Sequence, residues 1–361
     1  SGIAENACPA TADFIHRANN ARKFRCFSAI CAAARARIFS GSSWKGQQGF
    51  AVKISVIGMG AVGTEVVGHL LASAVASEIV AVDRNEAKAQ AEIWDFAHTT
   101  SFIYAKNPRL VSGDWAETKN SDIVVITAGA QLKQGENRDA LVEVNSKVIR
   151  DLIERTQATS PDAIVLMVTN PVDVMAQVAV AHSAFPKERV ISLGTIVDTA
   201  RFMRIMSDHV GIDPKNIFGY VLGDHSDTGF IPWSLCNVCG LDIDTFCALN
   251  GVAPIDRAAV RQRVLQIGLD IFAGKGNTNH GIAASVFRMI RAVAGNEHSV
   301  LPVGTLLEGE YGVHGAVMSV PCVIGRNGIE RIIACRFTEE EQAAFAASHA
   351  HVRSLLPLAG L

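Results

Sequence analysis

The chain has 361 residues, of which 49% are hydrophobic and 19% are charged, and its formal net charge is −2. This length accommodates two domains, or one large domain, around a sizeable core. The longest apolar runs have about five to seven residues, which is too short to cross a bilayer, so no membrane span is expected. Apart from its first residues the chain is mildly acidic, which argues against nucleic acid as the main partner.

Residues 1–49 differ in composition from the rest of the chain. They carry a net charge of +5, against −7 for the remainder, and no acidic residue lies between Phe14 and Ser40. We predict a disordered basic extension and a cytoplasmic protein. Arg- and Ser-rich segments with few acidic residues are also typical of organellar targeting peptides, so import is one alternative. A nucleic-acid or membrane role for the extension is another.

The eight cysteines predict neither a disulfide framework nor a metal site. Cys236 and Cys239 form a Cys-x-x-Cys pair, but no second Cys/His pair lies nearby in the sequence. A zinc site needs four ligands. We therefore expect structural thiols in a reducing compartment and no bound metal.

From residue 51 onward, β-branched runs of strand length alternate with segments of helical periodicity. This alternation predicts βαβ units and a doubly wound parallel sheet over residues 50–195. A region with longer helical stretches and a Gly- and Pro-rich part follows, which predicts a second, α+β domain over residues 196–361. The five predicted strands are Val52–Ile57, Ile79–Val82, Ile123–Thr127, Ala163–Val168 and Val190–Ile191.

A glycine motif, Gly58-Met-Gly60-Ala-Val-Gly63, directly follows the first predicted strand and opens a helix. Gly58 permits a tight turn, Gly60 lets the backbone approach a pyrophosphate, and Gly63 lets helix and strand pack closely. Asp83 ends the second predicted strand. Its carboxylate would accept hydrogen bonds from a ribose hydroxyl and repel a 2′-phosphate. The motif therefore predicts a Rossmann-type domain that binds NAD, whereas a ligand-free glycine turn would not need Asp83 at this position.

Four further residues have the chemistry needed to reduce a 2-oxo acid, which requires a held carboxylate, a polarised carbonyl and a delivered proton. His225 titrates near neutral pH and can act as acid or base, while Asp198 could orient its ring. Arg201 could hold a carboxylate through a bidentate fork. Arg138 follows a Gly-containing loop and could polarise the carbonyl as that loop closes. Each residue alone is more often structural, but together, behind a dinucleotide fold, they predict a hydride-transfer site.

At these residues the chain resembles the L-lactate/malate dehydrogenase family, over roughly residues 51–336. The lactate branch is the more similar one, notably in Leu306-Leu-Glu-Gly-Glu-Tyr-Gly312. The other matching motifs are Thr127-Ala-Gly-Ala130, Thr169-Asn-Pro-Val-Asp173, Asp198-Thr-Ala-Arg201, Lys275-Gly-Asn-Thr278, Leu301-Pro-Val and Gly325-Arg-Asn-Gly328.

The resemblance implies a role for each matching residue. His225 would be the acid/base, Asp198 its partner, Arg201 the carboxylate anchor and Arg138 the arginine of a closing lid. It also implies a homodimer or homotetramer. Further contacts that it implies with cofactor or substrate come from Thr127, Gly129, Asn170, Thr278 and Ile282.

Three departures from the family pattern bear on specificity and on the catalytic loop. Leu132 occupies the lid position where lactate dehydrogenases tend to have Gln and malate dehydrogenases Arg. Because Leu cannot pair with a second carboxylate, we predict a 2-oxo monocarboxylic acid, either pyruvate or a larger apolar analogue. Asp224 and Ser226 stand where Glu and Gly are usual, and Asn279-His280 replaces a small–aromatic pair.

The sequence thus predicts an NAD-dependent L-2-hydroxy acid dehydrogenase acting on a small 2-oxo or 2-hydroxy monocarboxylate. Two alternatives stay open. One is a malate dehydrogenase, which Leu132 disfavours. The other is a non-catalytic NAD-binding regulatory protein, which the complete catalytic set disfavours.

Overall fold

The computed structural model describes residues 52–102, 107–130 and 138–361, with only the backbone described at residues 138–140. The predicted extension, residues 1–49, and the specificity position Leu132 lie outside these ranges. Residues from 52 onward belong to one compact unit.

The described residues form a nine-stranded sheet and a second sheet of three short strands. The large sheet contains β1 Lys53–Ile57, β2 Glu78–Val82, β3 Arg109–Ser112, β4 Ile123–Ile126, β5 Ile164–Met167, β6 Val190–Ser192, β10 Ser299–Glu308, β11 His314–Gly325 and β12 Gly328–Ile332. The small sheet contains β7 Ile217–Phe218, β8 Asn237–Val238 and β9 Leu241–Asp242.

The strand order of the large sheet is β12-β11-β10-β6-β5-β4-β1-β2-β3. Strands β1 to β6 run parallel to one another, which confirms the predicted doubly wound parallel sheet. The sheet continues past β6 because β10 pairs antiparallel with it, Gly304 facing Ser192. The sequence did not predict this continuation, nor the edge strand β3.

Nine α-helices flank the sheets within the part of the chain that the structure describes. They are α1 Ala61–Ser73, α2 Glu86–Thr99, α3 Arg138–Thr159, α4 Val172–Ala181, α5 Ile196–Val210, α6 Ile243–Asn250, α7 Arg257–Lys275, α8 His280–Ala294 and α9 Glu339–Leu355. Helix α1 packs against α8, and α5 packs against α7.

Two hydrophobic cores result from this arrangement. The larger one surrounds the central strands, whose side chains, such as Ile54 and Val125, are fully buried because helices cover both sheet faces. The smaller one lies among α5, α6, α7 and the short strands, with Phe202 and Val264 among its members. Helix α5 contributes to both cores, through Ile196 to the larger one and through Phe202 to the smaller one.

Cys236 and Cys239 flank β8. Cys236 is buried, which raises its thiol pKa to about 12, and Cys239 is exposed in a turn with a φ of 53°. Among the described residues no cluster of three or more His, Cys, Asp or Glu side chains could hold a metal ion. No helix of the described ranges is long and apolar enough to cross a membrane.

Candidate active site

The glycine turn between β1 and α1 has the close packing that its sequence predicts. Gly58 has a φ of 104°, and a Cβ there would lie 2.6 Å from the Ala128 backbone nitrogen. A Cβ at Gly63 would lie 1.9 Å from the Gly58 carbonyl oxygen, so neither position admits a side chain. At Gly60 a Cβ would have no neighbour within 4 Å. Open space above Gly60, at the N-terminus of α1, fits a pyrophosphate.

Thr127 and Asp83 hold this turn from the two neighbouring strands. The Thr127 hydroxyl donates to the Gly58 carbonyl at 2.8 Å. The Asp83 carboxylate accepts the backbone N–H of Met59 at 2.7 Å and that of Asn85 at 2.9 Å. A carboxylate has about four lone-pair positions, so Asp83 keeps acceptor capacity for ribose hydroxyls.

A buried amide, Asn145 on α3, joins the loops that follow β4 and β5. Its side chain accepts the Ala130 N–H at 2.7 Å and donates to the Asn170 carbonyl at 2.7 Å. Gly129 directly precedes Ala130, which Asn145 holds. The side chain of Asn170 is exposed at the carboxyl end of β5. Sequence reasoning missed Asn145, because its polar side chain in a helix gives no sign of the loops that it binds.

One carboxylate, that of Asp198, bridges the predicted acid/base and the predicted anchor. Its two oxygens meet His225 Nδ1 at 2.5 Å and Arg201 Nη1 at 2.7 Å. The Asp198 side chain is only 9% exposed, against 24% for His225 and 16% for Arg201. The structure thus brings together three of the four residues that the sequence selected for catalysis.

Local structure explains why these three side chains meet. Asp198 lies in the first turn of α5, where a negative charge is favoured, and Arg201 lies one turn later on the same face. The segment that leads to His225 is tied to the same helix at Val221. The Thr199 hydroxyl accepts the Val221 N–H at 2.9 Å, and the Thr195 hydroxyl donates to the Val221 carbonyl at 2.5 Å.

The charges of the three groups set their pKa values. The Asp198 carboxylate is the main cause that raises the pKa of His225, against the opposing effect of burial. Burial would raise the pKa of Asp198, but the His225 and Arg201 cations outweigh it and hold the pKa below its ordinary value. Each of the two groups, Asp198 and His225, therefore favours the charged form of the other.

A second buried carboxylate, Asp173 on α4, holds the backbone of His225. Its oxygens accept the His225 N–H at 2.9 Å and the Ser192 hydroxyl at 2.7 Å. Burial raises its pKa to about 6, although these two hydrogen bonds oppose the rise. The sequence analysis included Asp173 only as part of a family motif. Its contact with His225 was not predicted, because the two residues are far apart in the chain.

Helix α7 supports the site from the other side. Arg261 donates to the backbone carbonyls of Gly229, at 3.3 Å, and Asp227, at 2.5 Å, and so holds the segment after His225. At Gly268 the helix passes so close to Arg201 that a Cβ would lie 3.1 Å from its guanidinium nitrogens. The carboxylate anchor and the catalytic loop are thus packed against one helix.

The loop between α7 and α8 carries the remaining predicted contact residues. Thr278 is half-buried in this loop, and Ile282 is half-buried in the first turn of α8, against the larger core. This turn approaches α5, since a Cβ at Gly281 would lie 3.4 Å from Val197. His280 is exposed and its Nδ1 hydrogen-bonds the Glu65 carboxylate of α1 at 3.0 Å, so it links two helices at the surface.

The predicted lid is described only at its end. Leu132 lies outside the described residues, and α3 begins at Arg138, whose backbone alone is described. The roles predicted for these two residues therefore stay predictions.

Two family models match most of the chain. Residues 52–192 match the family model of the lactate/malate dehydrogenase NAD binding domain, and residues 195–356 match that of the lactate/malate dehydrogenase alpha/beta C-terminal domain. The L-lactate dehydrogenase of Acetivibrio thermocellus is 39% identical over 291 residues, 80% of this chain and 91% of the relative. That of Thermoanaerobacter pseudethanolicus is 38% identical over 306 residues, 84% of this chain and 98% of the relative.

Solved structures of lactate dehydrogenases also match this chain. A minor L-lactate dehydrogenase from Enterococcus mundtii aligns with a TM-score of 0.82 and 30% identity, covering 85% of this chain and 98% of that one. A lactate dehydrogenase from a Medee basin deep-sea metagenome library aligns with a TM-score of 0.82 and 29% identity, covering 86% and 99%.

The glycine turn with Asp83 is that of a dinucleotide-binding fold, and the family matches specify the family. The chain belongs to the lactate/malate dehydrogenase family. It is accordingly an NAD-dependent oxidoreductase of the L-2-hydroxy acid class, and NAD is its cofactor. These findings confirm the predicted family, fold class and cofactor.

Proposed function

We propose that the protein catalyses reversible hydride transfer between NADH and a 2-oxo monocarboxylic acid, giving the L-2-hydroxy acid. The observation that carries this proposal is the Asp198 carboxylate, which contacts His225 and Arg201 at once. One buried charge thereby places a proton donor beside a carboxylate-binding cation. A 2-oxo acid needs both, the proton donor at its carbonyl oxygen and the cation at its carboxylate.

His225 moves the proton. Asp198 binds Nδ1, which leaves Nε2 as the nitrogen that faces substrate. Asp198 also raises the pKa of His225, which favours the protonated ring that reduction needs. In reduction, Nε2 gives this proton to the carbonyl oxygen while the carbonyl carbon accepts hydride, and the product is the hydroxy acid. In oxidation, neutral His225 takes the hydroxyl proton back.

Arg201 holds the substrate carboxylate. The guanidinium of Arg201 has five N–H donors, and Asp198 accepts one of them. The others remain for a bidentate pair with a substrate carboxylate. Asn170 and Thr278 would contact the same substrate, and Arg138 would polarise its carbonyl. Thr127, Gly129 and Ile282 would line the cofactor site with the glycine turn and Asp83. The hydride comes from NADH, which is the chemistry that the cofactor supplies when bound.

Leu132 supports a monocarboxylic substrate. A second carboxylate buried against Leu would lack a partner, and such an unpaired buried charge costs several kcal/mol, on the order of 3–5. An apolar side chain on the 2-oxo acid meets no such cost. We therefore expect pyruvate or a larger apolar analogue to be preferred over oxaloacetate.

The experiment is NADH oxidation by the full chain with pyruvate, oxaloacetate, 2-oxobutyrate, 2-oxoisocaproate and phenylpyruvate. We expect the highest kcat/KM with one of the four monocarboxylic acids, and the panel identifies which one. If oxaloacetate has the highest value, the protein is a malate dehydrogenase and the Leu132 argument is wrong. If none of the five is reduced although NADH binds, the non-catalytic alternative holds.

Exchange of the specificity residue tests the Leu132 argument separately. Leu132→Arg should raise kcat/KM for oxaloacetate and lower it for apolar 2-oxo acids. Leu132→Gln is the matched control, because it is polar but cannot pair with a carboxylate as Arg does. Equal oxaloacetate activity in the two variants would contradict the charge-pairing argument.

Family membership also supports a homodimer or homotetramer. Large apolar side chains are exposed on the monomer, including Trp94 on α2 and Phe272 on α7, which are 63% and 47% exposed. Light scattering of the purified chain would give the subunit number, and a monomer at micromolar concentration would contradict the proposal.

A cytoplasmic location is tested by imaging a fluorescent fusion with and without residues 1–49.

A further inference from the structure

A second histidine–carboxylate pair lies next to the catalytic histidine. Asp224 precedes His225 in the chain and is only 4% exposed, and one of its oxygens meets His351 Nδ1 of α9 at 2.8 Å. The other oxygen accepts hydroxyl hydrogen bonds from Thr228 and, at 2.6 Å, from Ser348. The function proposed above gives this pair no role.

Helix α9 supplies this pairing from one face. Ser348 and His351 are three residues apart and therefore adjacent on the helix surface. Ser348 also accepts the Asp224 N–H at 2.8 Å, so backbone and side chain of Asp224 are both fixed by α9. His351 further approaches the Ser226 hydroxyl at 3.4 Å, on the other side of His225.

One of the three departures from the family pattern, Asp224 with Ser226, lies at this pair. Asp224 is one methylene shorter than the Glu usual there, and Ser226 replaces a Gly. A buried carboxylate is costly unless its oxygens are hydrogen-bonded, and His351 satisfies the oxygen that the hydroxyls do not reach. His351 thus stabilises the conformation of the catalytic loop that contains Asp224 and Ser226.

We propose that His351 is a positioning residue, which holds Asp224 and through it fixes the backbone that places His225 against Asp198. The backbone at His225 is then held on both sides, by Asp173 at its own N–H and by α9 at the residue before it. This inference rests on the proposed function only through the role of His225.

The test compares three variants of the full chain. His351→Leu removes the ring donor, and His351→Asn restores a donor nitrogen at nearly the same distance from the backbone. His349→Leu is the matched control, because His349 lies on the same helix and hydrogen-bonds the His314 carbonyl at 3.0 Å, away from the catalytic loop. The substrate is the best 2-oxo acid of the panel.

We expect His351→Leu to lower kcat about tenfold to a hundredfold, the effect of misplacing a catalytic group by up to about an ångström. KM for NADH should change less than about twofold. His351→Asn should recover most of kcat, and His349→Leu should match the wild type. A kcat of His351→Leu equal to that of His349→Leu would overturn the inference.

Histidine NMR of the cofactor-free protein gives a readout that does not depend on turnover. Asp198, Asp173 and Arg201 are the charged groups that act on His225, and they remain in His351→Leu. If the loop shifts, His225 moves away from Asp198, and its pKa should fall toward the ordinary value. An unchanged His225 pKa together with a lower melting temperature would mean that His351 only docks α9, and the proposal would be wrong. An inactive wild type would instead refute the proposed function.

Discussion

Replacement of Asp173 by Asn should stabilise the protein, and increasingly so as the pH rises. Burial raises the pKa of Asp173 from 3.8 to about 6. A group whose pKa is higher in the folded state contributes stability that is fully present below the unfolded-state pKa. That stability is lost as the pH rises through the folded-state pKa. Relative to a group that does not titrate, an acid at this position therefore destabilises the fold by about 3 kcal/mol at pH 8 and by about 1 kcal/mol at pH 4.5.

Asn can take the place of the neutral acid. Its oxygen can accept the His225 N–H while its amide faces the Ser192 hydroxyl, the two partners of Asp173. Urea unfolding of wild type and Asp173→Asn at both pH values should show a stability gain that is larger at pH 8 by about 2 kcal/mol. We expect kcat to fall at the same time, because a neutral acceptor binds the N–H less strongly.

The control for this experiment is Asp208→Asn. Asp208 is 58% exposed in a surface ion pair with Arg204, so its replacement should change stability by less than about 0.5 kcal/mol at either pH. The same gain for Asp173→Asn at both pH values would refute the argument from burial, as would a loss of stability at pH 8.

Three further variants test the site. Asp198→Asn removes the charge that raises the pKa of His225, so the loss of reduction activity on the alkaline side should begin at lower pH; kcat should fall by up to about 10⁴-fold, as in a hydrolase triad. Rates from pH 5 to 9 measure both effects. Arg201→Lys keeps the charge but not the fork, so initial rates should give a KM for the 2-oxo acid raised about tenfold to a hundredfold. Gly63→Ala would place a Cβ 1.9 Å from the Gly58 carbonyl oxygen and should abolish NADH binding in a fluorescence titration.

For each of these three predictions, one result would show that the reasoning is wrong. An unshifted pH profile for Asp198→Asn would mean that another group sets the pKa of His225. If Arg201→Lys raised KM for NADH as much as that for the 2-oxo acid, Arg201 would not be a specific anchor. Wild-type NADH affinity of Gly63→Ala would contradict the argument from the clash, and Gly60→Ala is the matched control because its Cβ has no neighbour within 4 Å. Circular dichroism should give it the wild-type spectrum.

The elements that the sequence predicted are those whose signal is local. β1 is a β-branched run followed directly by the glycine turn, and the clash at Gly63 explains why that motif is informative. β3 was missed because it lies at an edge and is only half-buried, with Arg109 exposed, so it lacks the apolar run of a central strand. The pairing of β10 with β6 was missed because register between distant strands leaves no local pattern.

The same distinction holds for the site. Asp198 and Arg201 could be selected because a spacing of three residues on a helix brings side chains together. Asn145, Asp173 and His351 could not, because each acts on a segment far away in the chain. His351, for example, is 127 residues from Asp224. Their polar side chains indicate a hydrogen bond but not its partner.

The pairing of Ser192 with Gly304 has a consequence for how the protein unfolds. A Cβ at Gly304 would lie 2.6 Å from both Asp173 Oδ1 and the Ser192 Cβ, so the two strands meet without space between them. A fragment that ended at residue 192 would leave β6 as an unprotected edge, open to association with other chains. We therefore expect one cooperative melting transition for the two regions that the family models match, and poor solubility of either region expressed alone.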